Sequence, residues 1–152
     1  MSKIRTDYVT NSSSSSFILG FKNAEEIADI VRDELPSYWS ETAINDIISD
    51  IECGITSQED AIEFYKDHID CWNWRFNGKT YWDMAIKERK SKEWNDFRES
   101  KMSELSRDFA DELNKYNVIS IVEYEDDTDF GSTLEHDIMP CFSHTIKIIS
   151  HH

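Results

Sequence analysis

Apolar positions recur along this chain with two periods, and the changes between them mark out its elements. Lys3 to Thr10 and Phe17 to Leu19 read as short strands, and the polar segment Asn11 to Ser16 between them suits a turn or loop. Helical spacing takes over after Asn23, which suits an N-cap with Glu26 as its capping-box partner. Ile27, Ile30, Val31 and Leu35 form one stripe, and Pro36 ends it. Ser40 caps a second helix whose Ile44, Ile47, Ile48 and Ile51 repeat at helical spacing before Gly54 supplies a stop. Ser57 with Asp60 starts a third, carrying Ala61, Ile62, Tyr65 and Ile69.

The period changes again at Cys71. Trp72, Trp74 and Phe76 alternate, Asn77-Gly78 follows, and Thr80 to Trp82 resumes the aromatic content, which predicts an aromatic β-hairpin near residues 72–82 with Trp74 opposite Tyr81. Asp83 to Tyr116 reads as a long helix that a break near Ser91 would divide, with Ile86, Trp94, Phe97, Met102, Leu105, Phe109 and Leu113 as its buried seam. Val118 to Tyr124 and Thr145 to Ser150 read as strands able to pair antiparallel, joined by a loop and short helical turn over Gly131 to Pro140. The class expected is α+β: an antiparallel sheet from N- and C-terminal strands packed against several helices, in a single domain over residues 1–152.

Composition sharpens this picture. A chain of 152 residues can bury a core without staples, and five tryptophans argue against disorder. Cys53, Cys71 and Cys141 form no CxxC pair, which fits neither a disulfide framework nor a thiolate zinc site and points to a reducing compartment. Met1 to Thr10 has no apolar core of signal-peptide length, and no later run approaches a bilayer span, so the location expected is cytoplasmic. The net charge of -15 is uneven. Residues 21–70 carry 3 basic and 14 acidic side chains, residues 71–117 carry 10 and 9, and residues 118–152 carry 1 and 7. Such a field repels nucleic acid and anionic membrane and favours a partner with a basic surface.

Few residues have catalytic patterning. No cysteine has a context that lowers its pKa, and no serine sits in a nucleophile elbow, so nucleophilic catalysis has no sequence support. The run Ser12 to Ser16 lacks the glycines and lysine of a phosphate loop and reads as a polar or phosphorylatable loop. The acidic stretch Glu123, Glu125, Asp126, Asp127 and Asp129 fails EF-hand spacing at Phe130 and reads as a solvated loop. Glu135, His136, His144, His151 and His152 are the one group with metal-ligand chemistry. They would share a zinc if the two C-terminal strands paired, although no HExxH or HxH core holds two of them on one face. His68, within a helix, reads as structural.

The opening Lys3-Ile4-Arg5-Thr6-Asp7-Tyr8-Val9-Thr10-Asn11, followed by five serines and Phe17, resembles an N-terminal motif of small bacterial and phage proteins. Gly131-Ser132-Thr133-Leu134-Glu135-His136-Asp137-Ile138-Met139-Pro140 and the ending Ile149-Ser150-His151-His152 are similar to some of the same proteins. The two stretches cover about a quarter of the chain. That family has no established activity, so the resemblance implies a phage or mobile-element origin more than a function.

Two functional readings follow. The first is a non-catalytic acidic protein without cofactor that docks on a basic surface of a host protein, as an inhibitor of a defence or nucleic-acid-binding enzyme or a nucleic-acid mimic. It binds neither nucleic acid nor membrane directly. Its contact residues would be Glu25, Glu26, Asp29, Asp33, Glu59 and Glu63, with Trp72 and Trp74 as an aromatic hot spot. The alternative is a metal-dependent enzyme or zinc-binding protein using Glu135, His136, His144, His151 and His152.

Overall fold

The computed structural model describes residues 13–151 and has the α+β class expected: six α-helices and a four-stranded antiparallel sheet among the described residues. The chain forms two compact units. One comprises the described residues up to Ala61 together with those from Leu113 onward, and the other is Ile62–Glu112. None of the described helices is long and apolar enough to cross a membrane. The three cysteines are free thiols.

The first unit is built on the sheet. Strand β1 (Ser14–Phe21) is followed by α1 (Ile27–Glu34), α2 (Glu41–Cys53) and the short β2 (Ile55–Thr56). After the second unit come β3 (Val118–Glu125), α6 (Asp129–Thr133) and β4 (Thr145–Ser150). The sheet order is β2-β3-β1-β4, so β1 is central. The expected pairing of the two C-terminal strands is therefore not made: β1 lies between them, with Phe17 opposite Val122 on one side and Ile148 on the other. Both faces of β1 are covered, since the successive residues Phe17, Ile18 and Leu19, and also Phe21, are all buried without polar alternation.

The first two helices follow their caps. Asn23 Oδ1 accepts from Glu26 N at 3.1 Å, and a short 3-10 turn over Ala24–Glu26 leads into α1. Ser40 Oγ accepts from Ala43 N at the start of α2. Their apolar stripes, Ile27 and Val31 on α1 and Ile44, Ile47, Ile48 and Ile51 on α2, pack with Phe17, Leu19 and Phe21 of β1 and with Val122, Leu134, Met139 and Phe142 in one core. The junction of α2 with β3 is tight. Ser120 is fully buried and its hydroxyl donates to Ile51 O at 2.6 Å, while Ile121 N donates to Gly54 O at 3.0 Å.

The serine run corrects the expected loop. Ser14 to Ser16 belong to β1, Ser15 and Ser16 are buried, and the strand begins three residues earlier than its apolar residues suggest. A hydroxyl enters a sheet interior at little cost when a strong acceptor meets it, and side chains from distant elements supply those acceptors here. The expected strand Lys3 to Thr10 lies outside the described residues.

The second unit contains most of α3 (Gln58–His68), then α4 (Ile86–Arg89) and all but the last residue of α5 (Lys92–Leu113). The break near Ser91 is real: its hydroxyl accepts from Trp94 N at 3.2 Å and opens α5. Trp94 and Phe109 are buried as expected, but Ile86 is 69 % exposed and lies outside the seam. The predicted hairpin reduces to its turn. Asn77 and Gly78 have the positive φ of a type I′ turn, at 53° and 79°, and Phe76 and Lys79 exchange both backbone bonds at 2.8 and 3.0 Å. No strands flank it. Asp70 accepts from Trp72 N and Asn73 Nδ2, winding Cys71–Asn73 into a 3-10 turn, and Thr80 bonded to Asp83 accompanies another over Tyr81–Asp83. These local side-chain bonds offer the backbone an alternative to a ladder. Trp72, rather than Trp74, meets Tyr81, at 4.5 Å between ring centroids.

Candidate functional site

Several polar side chains converge at the N-terminal end of β1. In a strand alternate residues share a face, so Ser13 and Ser15 point one way and Ser16 the other. Glu135 lies on the π-helical turn Leu134–Ile138 and is only 3 % exposed. Ser13 Oγ donates to its Oε1 at 2.8 Å and Ser15 Oγ to its Oε2 at 2.9 Å. Asp126, just after β3, receives Ser13 N on Oδ1 at 2.8 Å, and its Oδ2 lies 2.9 Å from Ser13 Oγ. His136 closes the group, with Nε2 3.1 Å from Glu135 Oε1, 3.8 Å from Asp126 Oδ2 and 3.5 Å from Ser13 Oγ. Exposure rises from buried Glu135 through half-buried Asp126 to exposed His136. Ser13 N, then its hydroxyl, holds the Asp126 carboxyl below the usual carboxylate range, with His136 a smaller influence.

The sequence-derived metal group is therefore only partly assembled. Glu135 and His136 come together, and the partner beside them is Asp126, which the acidic loop had hidden. His144 is elsewhere: its Nδ1 is 2.7 Å from Gly20 O, and its ring stacks on Phe21 at 4.9 Å. Gly20 lies seven residues along β1 from Ser13, roughly 23 Å of extended chain. His151 Nε2 is 2.9 Å from Ser16 Oγ, on the opposite face of β1 from Ser13 and Ser15. His152 lies outside the described residues. His68 is exposed near the end of α3, with Nδ1 2.8 Å from Phe64 O.

The proposed contact residues separate as well. Glu25, Asp29 and Asp33 are exposed and four residues apart, so they form one stripe along the outer face of α1 and its preceding turn. Glu26 is half-buried and accepts from Lys22 N at 2.7 Å, a capping role. Glu59 is exposed in the first unit. Glu63 belongs to the second, where it pairs with Lys66 at 3.7 Å. Trp72 and Trp74 also belong to the second unit: Trp72 is partly exposed, and Trp74 is half-buried under the Lys101 ammonium at 5.2 Å. The charge divides in the same way. Residues 13–61 and 113–151 carry 4 basic and 18 acidic side chains, net -14, whereas residues 62–112 carry 10 and 12, net -2.

No protein-family model matches this chain, and no curated protein or solved structure does.

Proposed function

We propose that the first unit is an acidic, non-catalytic docking module for a basic protein surface. The observation carrying this reading is the net charge of -14 on that unit, with Glu25, Asp29 and Asp33 exposed in one row. Successive members of the row are about 6 Å apart at four residues per step. Little cationic charge opposes it: Arg32, the basic residue of α1, is engaged by Glu41 at 2.8 Å and by Asn45. Such a field attracts a complementary basic surface, speeds encounter with it and rejects polyanions. The complementary partner class is a host protein whose basic surface otherwise receives nucleic acid. A phage or mobile-element origin, and inhibition of a defence enzyme, rest on the resemblance of the termini.

The test compares the native chain with a Glu25→Lys, Asp29→Lys, Asp33→Lys variant for capture of partners from host lysate at low and high salt. The native protein should retain a defined partner with a basic groove at low salt, and the variant should lose it. Retention of the same proteins by both would end the docking reading.

A further inference from the structure

We propose that Asp126, Glu135 and His136 bind one divalent transition-metal ion, with Ser13 and Ser15 holding the two carboxylates in place. One oxygen of each carboxylate is already committed. Glu135 Oε2 is held by Ser15 Oγ, which leaves Oε1 facing the centre of the group. Asp126 Oδ1 is held by Ser13 N, which leaves Oδ2 facing the same centre. His136 presents Nε2 there. Each carboxylate thus has one anchored oxygen and one directed inward, the division that outer hydrogen bonds impose on metal ligands.

The dimensions fit. One ligand atom from each of the three residues falls within 4.8 Å of the others. Nitrogen and oxygen ligands about 2.0–2.2 Å from a tetrahedral ion lie about 3.3–3.6 Å from one another, and His136 Nε2 already stands 3.1 Å from Glu135 Oε1 and 3.8 Å from Asp126 Oδ2. Two negative charges stand against a single imidazole, and Ser13 has one hydroxyl proton for two carboxylate oxygens, at 2.8 and 2.9 Å. A cation at the centre would satisfy both inward oxygens together.

The donor set selects the class of ion. An imidazole with two carboxylates suits Zn²⁺ or Mn²⁺ better than Mg²⁺, which binds through few carboxylates and keeps its waters, or Ca²⁺, which takes six to eight oxygens. Three protein ligands with His136 at the surface leave at least one coordination position to water. The site is independent of the docking row on α1 and does not require that reading to hold.

The experiment uses the full chain without an added histidine tag, stripped with chelator. It is titrated with Zn²⁺ by calorimetry and with Mn²⁺ by electron paramagnetic resonance. One saturable equivalent is expected, and Asp126→Asn and His136→Ala, both confirmed folded by circular dichroism, should each weaken it at least tenfold. Asp29→Lys should leave it unchanged. Absence of a saturable equivalent, several weak salt-sensitive equivalents, or an affinity that both site variants keep would each overturn the assignment.

Discussion

Replacing Glu135 by alanine tests whether the serine run is held in the sheet by this one buried carboxylate. The magnitude follows from what each hydroxyl has left. Ser15 is buried, and its alternative acceptor, Ser150 Oγ, is at 3.5 Å, so the loss of Glu135 Oε2 strands a hydroxyl at a cost of about 1–3 kcal/mol. Ser13 loses little, because its single hydroxyl proton can be given to Asp126 Oδ2 at 2.9 Å instead. Relief from burying a carboxylate offsets part of this, which leaves a net destabilisation of about 1–2 kcal/mol. With a urea slope of about 1–3 kcal/mol per molar, the midpoint should fall by about 1 M at neutral pH, read by far-ultraviolet circular dichroism. Ser15→Ala in the Glu135→Ala background should cost much less than in the native protein, because the two residues share one bond. An unchanged midpoint for Glu135→Ala, or strict additivity of the pair, would refute the reasoning.

Two further outcomes follow from the same core. Tyr124 donates its hydroxyl to Asp50 at 3.1 Å, and burial, with the nearby Asp50 charge second, pushes its phenol well above the ordinary tyrosine range. Because the folded pKa is raised, the contribution is fully present below the unfolded value near 10 and is lost as pH rises above it, by up to about 1.4 kcal/mol per pH unit. Urea midpoints should therefore drop from about pH 9 to about pH 11 in the native protein and drop less in Tyr124→Phe. Tyr65, also raised by burial, accounts for part of any residual slope, and equal slopes in both proteins would refute the Tyr124 contribution. Gly54→Ala would place a Cβ 2.2 Å from Ile121 O and 2.9 Å from Ser120 Oγ, and a backbone carbonyl cannot rotate aside. The expected cost is about 1–3 kcal/mol, visible as a melting point lower by several degrees, and an unchanged melting point would show that the α2-β3 junction is looser than described.

The helices of the first unit were legible in the sequence because each is specified locally. Asn23 and Ser40 make the cap bonds their spacing implies, the isoleucines of α2 all turn to the core, and Gly54 stands where α2 meets β3. Thr145–Ser150 was readable for a similar reason, as a short β-branched segment with its own boundaries. The type I′ turn was legible at Asn77-Gly78, since both residues carry the required backbone freedom, but strands around it were not. Asp70 and Asp83 took part in shorter-range bonds, and propensity does not weigh such competition.

By itself, then, the sequence determined the class, the helix caps, the free thiols' lack of motif and the concentration of acidic charge in particular blocks, all of which depend on residues near one another in the chain. Only the tertiary structure decided that β1 lies between β3 and β4, that Ser13 and Ser15 enter the sheet, and that Asp126 rather than His144 stands beside Glu135 and His136. A hydroxyl's neighbours depend on the strand pairing that brings residues over a hundred positions apart into register. A run of serines reads as a loop until its buried acceptor is in place.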